Sequence, residues 1–154
     1  MTKGDYAKQL FESGMNCAQA VFCAFSDELG FDKDTVLRIS AGFGGGIGRL
    51  REVCGAVSGM TMTLSYKFAC TDPNDRQRKA ALYALIQRAA GEFKAETGSI
   101  VCRELLGLGG SSAPVPEQRT ETYYKKRPCG ELVRRNISKT AAKFNFLLVR
   151  TLKI

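Results

Sequence analysis

The sequence predicts an all-α fold, a helical bundle of about six to seven helices with a glycine-rich loop before a helix beginning at Cys54. Three observations carry that reading. Apolar residues recur at spacings of three and four along most of the chain, which places them on one face of a helix. No segment alternates apolar and polar residues at period two, as a half-buried strand would. Residues that start and stop helices flank the periodic stretches, with Asn16, Asp32 and Ser99 as caps and Gly14 and Gly98 as stops.

Taken in order, residues 5–13 form a short amphipathic helix with Tyr6, Leu10 and Phe11 inward. Asn16 then caps a second helix, placing Cys17 in its first turn and Ala18, Val21, Phe22, Phe25 and Leu29 on its apolar stripe. Ala20, Cys23 and Ala24 make its other faces apolar too, so this helix belongs at the centre and Cys23 is packing. A third helix, opened by Asp32, carries Val36, Leu37, Ile39 and Ser40 into the glycines. The helix from Cys54 to Phe68 ends in a turn containing Cys70 and Pro73, where Asp72 or Asn74 caps the next helix. That helix runs to Thr97 with Leu82, Leu85, Ile86, Ala89, Ala90 and Phe93 on one face, opposite Arg76, Lys79, Tyr83, Gln87 and Lys94. Ser99 caps a short helix bearing Cys102, and residues 107–116 read as a polar, mobile loop. Residues 117–127 are either a short helix or irregular. The last helix starts at Pro128 and Cys129, with Leu132, Val133, Ile137, Ala141, Phe144 and Leu148 inward and Arg134, Arg135, Lys139 and Lys143 outward.

A chain of 154 residues, 44% apolar, is expected to form one domain over 1–154 with a core that needs no staples. No apolar run is long enough to span a membrane and the polar start lacks a signal-peptide core, so the expected compartment is the cytoplasm. Six cysteines exceed what packing requires, and in a reducing compartment they point to metal or redox use. Histidine is absent. That excludes Cys-His and Ser-His nucleophile pairs and zinc sites with imidazole ligands. The formal charge of +8 is concentrated in residues 117–154, which carry 10 basic and 3 acidic side chains. Such a region suits an acidic protein or an anionic surface, or is simply a solvated helix face.

The stretch from Ala41 to Gly59 holds the chemistry. Glycines at 42, 44, 45, 46 and 48 disfavour a helix and call for a loop with positive φ or close backbone approach. It lacks the Lys-Ser/Thr ending of a phosphate-binding P-loop and the spacing of a dinucleotide fingerprint. Cys54 follows at a helix start, where the positive end of the helix dipole, with Arg49 and Arg51 nearby in sequence, favours a thiolate. Close packing is the alternative for any one such cysteine. Cys17, Cys54, Cys102 and Cys129 all fall at or near helix starts, and that repetition suggests a shared thiol site. None is part of a C-x-x-C pair, which argues against a thioredoxin motif, a zinc ribbon and covalently attached haem.

Asn16-Cys17-Ala18-Gln19-Ala20-Val21, Gly44-Gly45-Gly46-Ile47-Gly48-Arg49, Cys54-Gly55-Ala56-Val57-Ser58-Gly59, Cys102-Arg103-Glu104-Leu105-Leu106-Gly107 and Cys129 resemble a family of small redox-active proteins. That family is named for a CGAxxG motif and four cysteines. The resemblance implies that Cys17, Cys54, Cys102 and Cys129 are the family cysteines, leaving Cys23 and Cys70 outside the pattern. A related domain occurs in a multihaem cytochrome with an iron–sulfur centre, so the resemblance also keeps a metal site in view.

Three functions compete. In the first, two cysteines cycle between dithiol and disulfide with an unknown redox partner, with Cys54 as attacking thiolate, as in a thiol oxidoreductase. In the second, the four thiolates hold an iron–sulfur cluster or zinc, with amides of Gly45 and Gly46 donating to sulfur and Arg49 or Arg103 offsetting charge. In the third, the cysteines are packing and the basic C-terminal helix recognises an acidic partner. Glu52 and Glu104, beside cysteines in sequence, are candidate bases.

Overall fold

The computed structural model describes residues 1–151, without the side chains of 139 and 143–151. The expected inward Phe144 and Leu148 and outward Lys139 and Lys143 therefore lie outside the described residues. Among those described the fold is all-α. The helices are α1 (Lys3–Glu12), α2 (Cys17–Cys23), α3 (Ser26–Leu29), α4 (Lys33–Ser40), α5 (Gly55–Phe68), α6 (Arg76–Thr97), α7 (Cys102–Leu106), α8 (Glu121–Lys126) and α9 (Cys129–Thr151). A short 3-10 turn, Ala41–Phe43, leads from α4 into the glycine loop. No helix among the described residues is long and apolar enough to cross a membrane.

Helix α2 sits at the centre, touching α1, α4, α5 and α9. Its Ala18, Ala20 and Val21 are fully buried, with Phe22 and Cys23 nearly so. The second helix expected from sequence is two, because side chains take the carbonyls that would continue it. Ser26 Oγ donates to the Cys23 carbonyl at 2.8 Å and Lys3 Nζ to that of Ala24 at 3.0 Å. Phe25 and Leu29 still reach the core from α3 and the residue before it.

Several expected boundaries move for local reasons. Helix α1 begins earlier, since Thr2 and Asp5 form a capping box. Its buried face is Ala7, Leu10 and Phe11, whereas Tyr6 stays exposed. Asp75, rather than Asp72 or Asn74, caps α6 by accepting from the Arg78 amide at 2.9 Å. Only Ala89 and Phe93 of α6 are buried, so this long helix is peripheral, packed on α5 and α9. Ser99 does not cap α7. The Val101 amide donates to its hydroxyl, and Val101 forms an isolated antiparallel bridge with Val53.

Helices α2 and α5 approach closely because Gly59 has no side chain. A Cβ there would lie 2.8 Å from the Ala18 carbonyl oxygen and 2.8 Å from the Val21 Cβ. Gly91, in contrast, has open space around it on the outer part of α6. Gly59→Ala is expected to lower unfolding free energy by about 1–3 kcal/mol through overpacking. Gly91→Ala is expected to raise it by about 0.5–1 kcal/mol, since alanine restricts the unfolded chain and suits a helix. Urea unfolding of both variants checks the pair, and equal effects would contradict this packing.

Candidate functional site

Four helix starts meet at one small cavity. Cys17 is the first residue of α2, Cys102 of α7 and Cys129 of α9, while Cys54 is the N-cap of α5. All four line a cavity of about 50 Å³. The local sequence explains how each arrives there. Asn16 caps α2 by accepting from the Gln19 amide at 2.9 Å, and the Gln19 side chain accepts from the Asn16 amide at 3.0 Å. Asn16 Nδ2 also donates to the Ala41 carbonyl at 2.9 Å, tying the start of α2 to the segment before the glycines.

Cys54 and Cys102 are brought together by a short antiparallel pairing of residues 51–54 with 100–103. The Cys54 amide donates to the Ile100 carbonyl at 2.8 Å, the Cys102 amide to that of Glu52 at 2.6 Å and the Arg103 amide to that of Arg51 at 3.0 Å. Gly46 makes room for this. It holds φ +66°, and a Cβ would stand 2.7 Å from both the Cys102 Cβ and the Glu52 nitrogen. Gly45 and Gly46 line the cysteine cavity.

Three guanidinium groups also face the cavity, from Arg51, Arg119 and Arg127. Arg51 is buried, with Nη1 3.8 Å from the Cys102 sulfur and Nε donating to Ser112 Oγ at 2.9 Å. Arg119 stacks over the rings of Phe11 and Tyr123 at 4.8 and 4.9 Å and donates to the Met15 carbonyl at 3.4 Å. Arg127 lies over Tyr123 at 4.7 Å and pairs with Glu117, whose carboxylate is also near Arg49 and Arg51 at 3.6 and 3.8 Å. Of these three arginines the sequence reading singled out only Arg51. Arg119 and Arg127 sit in the basic C-terminal quarter but turn inward, so part of its charge serves the interior. Their aromatic spacing, Arg119-x-x-x-Tyr123-x-x-x-Arg127, was the available signal.

Other expected site residues are elsewhere. Arg49 donates to the Ala113 carbonyl at 2.6 Å, and Arg103 pairs with Glu52 at 2.8 Å, so neither guanidinium is spent on a thiol. Glu104 accepts from the Ser99 hydroxyl, and neither Glu52 nor Glu104 lines the cysteine cavity. The 107–116 loop is tied down where the Ser112 amide donates to the Arg49 carbonyl at 3.0 Å. Cys23 is core, and Cys70 accepts from the Asp72 amide at 3.3 Å in the turn before α6.

The thiols differ sharply in acidity. Cys54 is pushed up to about 12 by burial, although the Ala56 and Val57 amides oppose the shift. Burial likewise raises Cys102 in spite of its Arg51 hydrogen bond. Cys17 and Cys129 are neighbours in the cavity, and each thiol shifts the titration of the other. The Cys17 thiol is raised by its interaction with Cys129 and by burial, while Cys129 is lowered to about 7 by the neighbouring Cys17 thiol and by Arg127, Arg119 and Arg51. The acidic thiol is therefore Cys129, not Cys54 as the helix-start argument expects. Among the described residues no three His, Cys, Asp or Glu side chains are grouped as a metal ion requires. The thiols do not fit a four-thiolate cluster in this arrangement.

A model of the family described as "Putative redox-active protein (C_GCAxxG_C_C)" matches residues 15–143. No curated protein and no solved structure matches the chain.

These shifts set a pH dependence of stability for the reduced protein. Cys129 lies below its ordinary 9.0 in the fold, so its contribution is complete above pH 9 and is lost as pH falls through about 7. Cys54 acts in the opposite sense, its contribution complete below 9.0 and lost as pH rises toward about 12. Stability of the reduced protein is expected to rise from pH 7 to 9 and to fall above that. Urea midpoints across this range check it, and the rise should vanish in Cys129→Ser. A Cys129 alkylation rate with its midpoint at 9 or above would contradict the assignment.

Proposed function

The chain belongs to the C_GCAxxG_C_C family of putative redox-active proteins, and from that premise we propose that it is a dithiol/disulfide redox protein whose reacting pair is Cys17 and Cys129. The observation that carries this is the placement of the two thiols in one small cavity at the meeting of α2 and α9, with Cys129 made acidic by the Cys17 thiol and by cationic neighbours. A thiolate beside a protonated thiol is what disulfide formation needs, because one sulfur attacks an oxidant and the other resolves the product. In this reading the pair gives up two electrons and two protons to a redox partner and closes as a disulfide. Arg127, Arg119 and Arg51 stabilise the thiolate before the reaction and lose that charge once the disulfide forms, so they favour the reduced state. Cys54 and Cys102, kept neutral by burial, shape the wall of the cavity. No step passes through a metal.

Mild oxidation with molecular iodine, a diatomic oxidant, followed by peptide mapping, tests the pairing. A single disulfide joining Cys17 to Cys129 is expected, lost in Cys17→Ser and retained in Cys23→Ser and Cys70→Ser. A disulfide mapping to any other pair, or no disulfide with all six thiols still titratable, would overturn the reading.

A further inference from the structure

The cavity restricts what can reach the thiol pair. Its volume is about 50 Å³, and one water takes about 10–15 Å³ on this kind of measure. The space therefore admits a molecule of a few heavy atoms, but not a peptide loop carrying a disulfide. Phe11, Leu105, Leu106 and Leu132 form its apolar wall, and Arg51, Arg119 and Arg127 its cationic one.

The arginines are not equally engaged. Arg51 is used by Ser112, the Cys102 sulfur and Glu117, and Arg127 by Glu117. Arg119 gives Nη2 to the Met15 carbonyl, but its Nη1 is buried with no hydrogen-bond partner. A buried charged donor left unpaired is unfavourable, and one beside a thiolate has a use when negative charge develops on a bound oxygen. The geometry points to a small hydroperoxide, with hydrogen peroxide the best fit, as the oxidant of the Cys17 and Cys129 pair. This rests on the dithiol reading of the same cavity and adds the class of substrate.

The Cys129 thiolate attacks one peroxide oxygen. The S–O bond forms, the O–O bond breaks and its electron pair leaves on the distal oxygen, which takes a proton to become water. Arg119 Nη1 donates to that oxygen as its charge builds. Cys129 is now a sulfenic acid, oxidised by two electrons. The Cys17 sulfur then attacks the Cys129 sulfur, the S–S bond forms, and the hydroxyl leaves with the Cys17 proton as a second water. In sum, two thiols and one hydrogen peroxide give one disulfide and two waters.

The test is the rate of Cys129 oxidation by hydrogen peroxide at pH 7, read by rapid quench and mass spectrometry on the full reduced chain. Half-ionisation alone, against the few per cent of an ordinary thiol, accounts for an advantage over free cysteine of about 15-fold. The rate per ionised Cys129, with the ionised fraction of each protein taken from its own alkylation pH profile, is expected to exceed that of free cysteine thiolate and to fall to it in Arg119→Gln. Cumene hydroperoxide, too bulky for the cavity, should show no advantage, and this second comparison holds even if the Arg119 variant does not fold. In Cys17→Ser the sulfenic acid should persist and be trapped at Cys129 by dimedone. A hydrogen peroxide rate at or below the ionisation level, with molecular iodine, a diatomic oxidant that fits the cavity, still forming the Cys17–Cys129 disulfide, would overturn the peroxide inference and leave the dithiol reading standing. Failure of both oxidants to form that disulfide would remove both.

Discussion

Five consecutive residues, Gly45 to Arg49, hold left-handed φ between +53° and +68°, and Arg51 follows at +63°. The arrangement of the site depends on this run. Left-handed backbone disfavours L-residues by about 1–2 kcal/mol each, so Ile47, Arg49 and Arg51 are held there by their surroundings. The holding contacts are visible. The Gly48 amide donates to the Gly42 carbonyl at 2.8 Å, Arg51 to Gly45 at 3.1 Å and Glu52 to Gly46 at 3.0 Å. The wound segment then presents residues 51–54 edge-on to 100–103, which places Cys54 and Cys102 on one side of the cavity. A looser loop would leave the start of α5 without that register.

The same segment decides where the charge goes. Arg49 and Arg51 are two apart on a left-handed turn, and they diverge, one to the Ala113 carbonyl and the other into the cavity. Glu117 gathers Arg49, Arg51 and Arg127 around one carboxylate. It offsets only part of three positive charges, so the cavity keeps a cationic excess facing its sulfurs. The aromatic rings of Phe11 and Tyr123 hold the Arg119 guanidinium with its face covered, which fixes its direction without neutralising it.

Much of this was legible in the chain. The helix-start positions of Cys17 and Cys129 followed from Asn16 and Pro128 and that of Cys54 from periodicity, whereas Cys102 stands at the start of α7 without the Ser99 cap that pointed to it. The glycine loop could be recognised as non-helical, since five glycines in seven residues disfavour any regular element. What stayed hidden depended on distance. Nothing in the order of residues says that Cys17 and Cys129, more than a hundred positions apart, line the same cavity. Nor does it say that Arg103 turns to Glu52 while Arg127 turns to the thiols. The split after Cys23 was equally invisible, because it needs Lys3 to arrive from another helix.

The sequence argument favoured Cys54 as the thiolate, and magnitudes explain why Cys129 takes that place. A helix N-terminus contributes about 0.3–1 kcal/mol, up to about 2 in partly buried geometries, or at most one to one and a half pKa units. Full burial can shift a thiol by about 3–5 units the other way. Cys54 has helix amides and burial but no cation beside its sulfur, so burial wins. Cys129 is also buried, and the balance is reversed by the neighbouring Cys17 thiol and three guanidinium groups acting through a medium of low dielectric. A helix start is therefore a permissive position for a reactive cysteine and not a sufficient one. In this fold the decision falls to side chains from α2, the glycine loop and the segment before α9, which is why one thiol of four stands apart although all four stand at helix starts.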